Sequence, residues 1–207
     1  MNQKRIIKDA LVLFIITLIS GLSLGYVNKI TVQPIKQQED LAIQEAYKAV
    51  FSDAVSFDED TIINAVAGNL VLEAAGINTS ALEEVRIAKD QNGEVVGYVM
   101  NVINNEGYGG DVKIAVGIRV DGTVNGYSVL SLNETAGLGM KAQDAAFKDQ
   151  FSNKQVEEFV VTKNGAKEEN EIDAISGATI TSNAVTNAVN ASIVYFNSIG
   201  GSVDESK

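Results

Sequence analysis

The chain has 207 residues, 27 of them Asp or Glu and 16 Lys or Arg, giving a net charge of −11 near neutrality. That balance offers no basic face to neutralise nucleic-acid phosphates, and it reads as a solubility feature. There is no cysteine and no histidine, which excludes disulfides, iron–sulfur ligation, thiol nucleophiles, a Ser-His-Asp triad and imidazole metal sites. Redox work stays open if an organic cofactor performs it.

The first segment has membrane character. Lys4, Arg5 and Lys8 stand at the head of an apolar run that ends near Val27, close to the ~20 residues a helix needs to cross hydrocarbon. A cleaved signal peptide has a shorter apolar stretch and a small-x-small cleavage site. This run is longer and has no Ala-x-Ala, so a retained anchor is expected, and without cysteine a lipoprotein is excluded. Basic residues ahead of the helix keep that end in the cytoplasm and send the rest of the chain to the far side. Thr17, Gly21 and Gly25 recur every four residues, a spacing that lets membrane helices approach closely. The expected layout is a cytoplasmic N-terminus and anchor over 1–28, a linker and helix over 29–60, an extracytoplasmic domain over 61–199 and a frayed tail over 200–207.

Residues 30–36 read as a short linker holding the single proline, Pro34. Over 39–55, Leu41, Ile43, Ala46, Tyr47, Val50 and Phe51 fall at helical spacing. Residues 60–72 read as helix or as irregular chain. Ser80-Ala81-Leu82-Glu83 has the form of a capping box. The stretches 85–89, 94–103, 112–120 and 124–130 are rich in Val, Ile and Tyr. Asp90-Gln91-Asn92-Gly93, Asn104-Asn105-Glu106-Gly107 and Asp121-Gly122 separate them as turns, which predicts an antiparallel meander. A helix is predicted over 142–151, strands over 159–163 and 172–175, and then a helix with Val185, Val189, Ile193 and Phe196 on its apolar face. The fold class is α+β: an antiparallel sheet with packed helices, preceded by one N-terminal transmembrane helix.

Three stretches carry the chemistry. In Asp173-Ala174-Ile175-Ser176-Gly177-Ala178-Thr179-Ile180-Thr181-Ser182 a small-residue turn delivers a threonine hydroxyl to the mouth of the last helix. Thr181 or Ser182 is a natural N-cap, and a helix N-terminus suits a phosphate. Gly177 and Ala178 keep side chains out of the way of a ligand. By this physics alone the stretch is a turn and a capped helix. Asn133-Glu134-Thr135-Ala136-Gly137-Leu138-Gly139 is a glycine-containing connection from strand to helix, and Gly107-Tyr108-Gly109-Gly110 reads as a hairpin turn.

Taken whole, Asp-x-x-Ser-Gly-Ala-Thr-x-Thr resembles the flavinylation motif of the FMN-binding domains in Rnf-type and Nqr-type respiratory complexes. The segment from Glu134 to Gly139 resembles their Glu-Thr-Pro-Gly-Leu-Gly loop, with Ala136 where proline is usual. The glycine run at 107–110 and Ala49-Val50-Phe51-Ser52-Asp53-Ala54 resemble the same family. The resemblance spans essentially the whole chain and is to the G subunit of the Rnf-type ion-translocating ferredoxin:NAD⁺ oxidoreductase. It implies a membrane-anchored electron carrier, not catalytic alone, with FMN on Thr179 through a phosphoester bond. Ser176, Gly177, Ala178 and Thr181 are its expected neighbours, and Glu134, Thr135, Gly137, Leu138 and Gly139 shape the rest of the site. Because a hydroxyl is a weak nucleophile without an adjacent base, the resemblance also implies a separate flavin transferase with FAD as donor. The implied partners are that transferase, the lipid bilayer and the other membrane subunits of the complex. Two further readings are the C subunit of the Na⁺-translocating NADH:quinone reductase and a membrane-tethered module that holds a phosphate-bearing ligand noncovalently.

Overall fold

The computed structural model describes residues 3–203. It divides into two compact units, Met1–Ala42 and Ile43–Lys207. Residues 1–2 of the expected cytoplasmic end lie outside the described residues.

The first unit is helical, part of α1 (Gln3–Val50), and α1 is long and apolar enough to cross a membrane. Leu11, Leu13, Phe14, Ile16, Leu18 and Leu22 are all exposed. Two hydroxyls in this unit bond back along the helix: Thr17 Oγ1 donates to Phe14 O at 2.9 Å and Thr31 Oγ1 to Val27 O at 3.0 Å. That is how a polar side chain is satisfied where no water is available. The linker expected at 30–36 is helical instead. Pro34 removes one backbone donor, but Lys36, Gln37, Gln38 and Glu39 beyond it favour helix.

In the second unit, the end of α1 packs on one face of a five-stranded antiparallel sheet in the order β1-β2-β3-β4-β5. The strands are β1 (Ser56–Asp58), β2 (Ser80–Lys89), β3 (Val95–Asn104), β4 (Val112–Arg119) and β5 (Val124–Leu132). Ala46, Tyr47, Val50 and Phe51 bury against Ala88, Val99 and Ala115 on that face. Small residues are needed there, since a Cβ on Gly97 would collide with the Phe51 ring. Asn125 Nδ2 takes up the Val50 carbonyl at 2.8 Å where the helix stops. The helix predicted over 39–55 therefore ends at Val50, and β1, too short to show periodicity, follows.

The opposite face carries the main core. Met100, Val102, Ile114, Val116 and Ile118 alternate with the residues of the first face and pack against α4 (Thr179–Val203) through Val185, Val189 and Ile193. Phe196 is partly buried and meets Tyr98 at 6.0 Å between ring centroids. The segment 60–72 resolves into a loop and α2 (Ala65–Ala74), with the Asn64 side chain accepting Ala67 N–H at 3.0 Å as N-cap. Ser80 caps nothing: it opens β2, and its Oγ accepts from Asn104 Nδ2 at 2.9 Å across the sheet. The tail expected at 200–207 continues α4 as far as Val203, and residues 204–207 lie outside the described residues.

The helix predicted over 142–151 is broken into a 3-10 turn (Gly139–Gln143), α3 (Ala145–Lys148) and a second 3-10 turn (Asp149–Phe151). Its apolar residues serve an aromatic cluster instead. Phe151 is fully buried, with Tyr127, Phe147 and Phe159 around it at 5.4, 5.6 and 5.0 Å. A two-stranded parallel pair, β6 (Val160–Thr162) and β7 (Glu171–Asp173), completes the unit and leads to α4.

Candidate functional site

Two turns of one kind meet beside the start of α4. Thr135 O accepts Leu138 N–H at 3.1 Å, and Ile175 O accepts Ala178 N–H at 2.9 Å. The third residue of each, Gly137 and Gly177, has φ +77°. The hydrogen bond and the left-handed third residue mark type II turns, which require glycine at that place. The turns touch: a Cβ on Gly177 would lie 3.1 Å from Leu138 Cδ2. Both are tied to the core. Tyr127 donates its hydroxyl to Ala142 O in the 3-10 turn that follows the first, and burial keeps that phenol far above its ordinary titration range. The second is fixed by Ala174 N–H to Thr162 O at 2.8 Å and by Asp173, whose Oδ1 accepts Ala166 N–H at 2.7 Å.

The helix begins at Thr179, three or four residues earlier than an N-cap at Thr181 or Ser182 predicts. Ser182 Oγ is engaged elsewhere, accepting Ile175 N–H and donating to Ala178 O, both at 2.9 Å, so it clamps the turn to the helix. Ser182 N–H is the first to bond back, to Ala178 O at 3.0 Å. The N–H groups of Thr179, Ile180 and Thr181 therefore have no helical acceptor.

A cavity of about 580 Å³ lies here, a size usual for small-molecule sites. Gly177, Ala178, Thr179 and Thr181 line it from the threonine stretch, and Glu134, Thr135, Leu138 and Gly139 from the other loop. Ser176 and Gly137, also expected at the site, are not among the lining residues. Each sits at the outer corner of its turn and is exposed. Two lining residues were missed, Ile180 and Tyr108. Ile180 follows from helical geometry once the helix starts at Thr179. Tyr108 lay in a glycine run whose signal was visible but equally explained by a hairpin.

Glu134 organises the cavity floor. Its Oε1 accepts the Tyr108 backbone N–H at 2.8 Å. A Cβ on Gly139 would meet Glu134 Oε2 at 2.6 Å and Thr181 Oγ1 at 2.7 Å, so bare glycine is what lets these groups converge. Thr181 is 1 % exposed and its Oγ1 has no hydrogen-bond partner among the described residues. A buried hydroxyl left unpaired costs free energy, and a ligand oxygen in the cavity would remove that cost.

These features fit FMN. Free helix N-terminal N–H groups and an orphan hydroxyl suit a phosphate. Exposed Leu138 and Ile180 offer apolar surface, and Glu134 and Thr135 offer an acceptor and a donor. Among the described residues, no side chain hydrogen-bonds the Thr179 hydroxyl, and no group of three His, Cys, Asp or Glu could hold a metal.

Residues 107–194 match the FMN-binding domain family, from the first glycine of the Tyr108 run to the middle of α4. The G subunit of the Na⁺-translocating ferredoxin:NAD⁺ oxidoreductase complex of Acetobacterium woodii is 38 % identical over 201 residues, covering 95 % of this chain and 94 % of that protein. The G subunit of the ion-translocating oxidoreductase complex of Shewanella loihica is 31 % identical, covering 94 % of this chain and 91 % of its own. The G subunit of the proton-translocating ferredoxin:NAD⁺ oxidoreductase complex of Clostridium ljungdahlii is 32 % identical, covering 84 % and 83 %. With this agreement along nearly its full length, the chain belongs to the G-subunit family of ion-translocating oxidoreductase complexes and carries an FMN-binding domain.

Proposed function

We propose that this chain is the membrane-anchored flavoprotein subunit that relays electrons within an ion-translocating ferredoxin:NAD⁺ oxidoreductase complex, with FMN joined to Thr179 through a phosphoester. The observation that carries the reading is the convergence of the Thr179 stretch and the Glu134 loop on one cavity at the start of α4. Bound there, FMN would supply the redox chemistry that a chain without cysteine or histidine lacks. The chain's own part is to hold and shape. The free N–H groups of the first turn and Thr181 Oγ1 receive the phosphate, while Leu138 and Ile180 flank the apolar part.

Attachment forms a bond from Thr179 Oγ1 to the flavin-side phosphorus of FAD, with AMP leaving and the hydroxyl proton lost. Thr179 has no hydrogen-bonded base among the described residues, which supports an external flavin transferase. The ester retains the flavin in a compartment from which free FMN would be lost. Lys4, Arg5 and Lys8 ahead of the apolar run support a cytoplasmic N-terminus, an anchor over 1–28 and a flavin domain over 61–199 on the far side. The bilayer and the other membrane subunits are its partners.

The test is the full chain, produced with and without a flavin transferase, denatured and run on a gel. A band with flavin fluorescence only when the transferase is present is expected. Flavin that leaves the chain on denaturation would instead support a noncovalent binding module.

A further inference from the structure

Tyr108 is the most exposed large side chain lining the cavity, at 72 %. Its exposure is unlike that of the domain's other tyrosines along β3, β5 and α4: Tyr98, Tyr127 and Tyr195 are all buried. Yet the backbone beneath it is held hard. Its N–H is fixed to Glu134 Oε1 at 2.8 Å. A Cβ on Gly109 would collide with the Asn133 carbonyl, and one on Gly107 with the Gly110 carbonyl. Gly107 thus lets the loop fold tightly on itself, and Gly109 lets it lie directly on Asn133 and Glu134, just past the end of β5. The domain holds an aromatic ring on a rigid base and leaves it mostly exposed, with no aromatic partner among the described residues.

Exposing so large an apolar surface forgoes the stabilisation that burial would bring. The arrangement makes sense if the ring's contact is supplied by a ligand. The other exposed apolar residues of the cavity, Leu138 at 41 % and Ile180 at 52 %, lie on the turn and helix that meet at Gly177. The site therefore has a polar, phosphate-suited part around Thr181 and an apolar part that includes an aromatic ring. That is the polarity of a molecule with a phosphate at one end and a flat heteroaromatic ring at the other.

We infer that Tyr108 stacks on the isoalloxazine ring of the flavin carried at Thr179, positioning it and setting its electronic environment. The inference rests on the function proposed above. A phenol in contact with a flavin quenches its emission, giving an electron to the excited ring and taking it back. Phenylalanine keeps the stacking surface but is too hard to oxidise to quench.

The experiment uses the full chain in detergent, co-produced with a flavin transferase, as parent, Tyr108→Phe and Tyr108→Leu. Intact mass measures flavin loading, and emission lifetime and midpoint potential are read on the loaded protein. Emission several-fold brighter in both variants is expected, with the potential near the parent's in Tyr108→Phe and shifted in Tyr108→Leu. Equal emission and potential in all three loaded proteins overturns the Tyr108 assignment and leaves the Thr179 reading standing. A parent without flavin on Thr179 overturns both. Because the side chain is exposed, the melting midpoint of the flavin-free chain is expected to stay unchanged in both variants, which separates ring contact from a folding effect.

Discussion

Gly139 and Thr181 meet at the floor of the cavity, where a Cβ on Gly139 would lie 2.7 Å from the Thr181 hydroxyl oxygen. The same Cβ would stand 2.6 Å from Glu134 Oε2. Three residues from two separate stretches converge on a space that only hydrogen fills. Close packing of this kind makes the floor rigid, because neither the 3-10 turn that opens at buried Gly139 nor the first turn of α4 can give way cheaply.

Gly139→Ala is therefore expected to displace Glu134 and Thr181 together. Overpacking of a tight site costs about 1–3 kcal/mol, measurable as a lowered denaturant midpoint. Flavin loading should fall more steeply than stability, since the displaced groups line the cavity. Unchanged loading at parental stability would mean that the floor is soft.

Thr181→Val tests what the buried hydroxyl is for. In the flavin-free chain the substitution removes an unpaired polar atom, and the chain should gain about 1 kcal/mol. In the flavin-loaded chain that gain should vanish or reverse, because the hydroxyl then has a phosphate oxygen as acceptor. Urea midpoints of both proteins, with and without flavin, give the comparison. An equal gain in the two states would show that Thr181 does not contact the cofactor.

Much of this site was legible because its chemistry lies in contiguous strings. Thr179, Gly177 and Ala178 form one run and Glu134, Thr135, Leu138 and Gly139 another, and both line the cavity. What sequence reasoning lost was what depends on distant partners. Ser182 resembled an N-cap, but Ile175 N–H claims its hydroxyl. Ser80 and Glu83 resembled a capping box, but strand pairing with Asn104 decides the conformation of Ser80. Residues 142–151 have helical composition, yet the cluster around Phe151 and the Tyr127 bond to Ala142 O break them into short turns. Tyr108 is joined to Glu134 only through the fold, 26 residues apart in sequence. Three strands of the meander, set by their own composition and turn signals, fall within two residues of the expected places, while β2 begins five residues before the expected Val85.

Ala136 occupies the second position of the type II turn from Thr135 to Leu138, where proline is favoured. Its N–H makes no backbone hydrogen bond outside regular elements. Ala136→Pro is expected to stabilise the chain by about 0.4–1 kcal/mol, mainly by restricting the unfolded state. The check is the denaturant midpoint at unchanged slope. A loss of stability would show that the turn needs an alanine conformation that proline cannot adopt.

The proposed orientation rests on charge. If Lys4, Arg5 and Lys8 hold their end in the cytoplasm, protease added to intact spheroplasts should digest the domain beyond the anchor. The purified protein should still yield peptides from the anchor. A domain protected in spheroplasts and cleaved only after lysis would reverse the assignment.

The central claim concerns one oxygen atom, Thr179 Oγ1. Fragmentation mass spectrometry of the peptide spanning Asp173 to Thr181, from cells containing a flavin transferase, reads it directly. The account predicts FMN less water on Thr179, and none anywhere on a folded Thr179→Ala chain. FMN on Thr181 or Thr135, or an unmodified Thr179 in those cells, would contradict it.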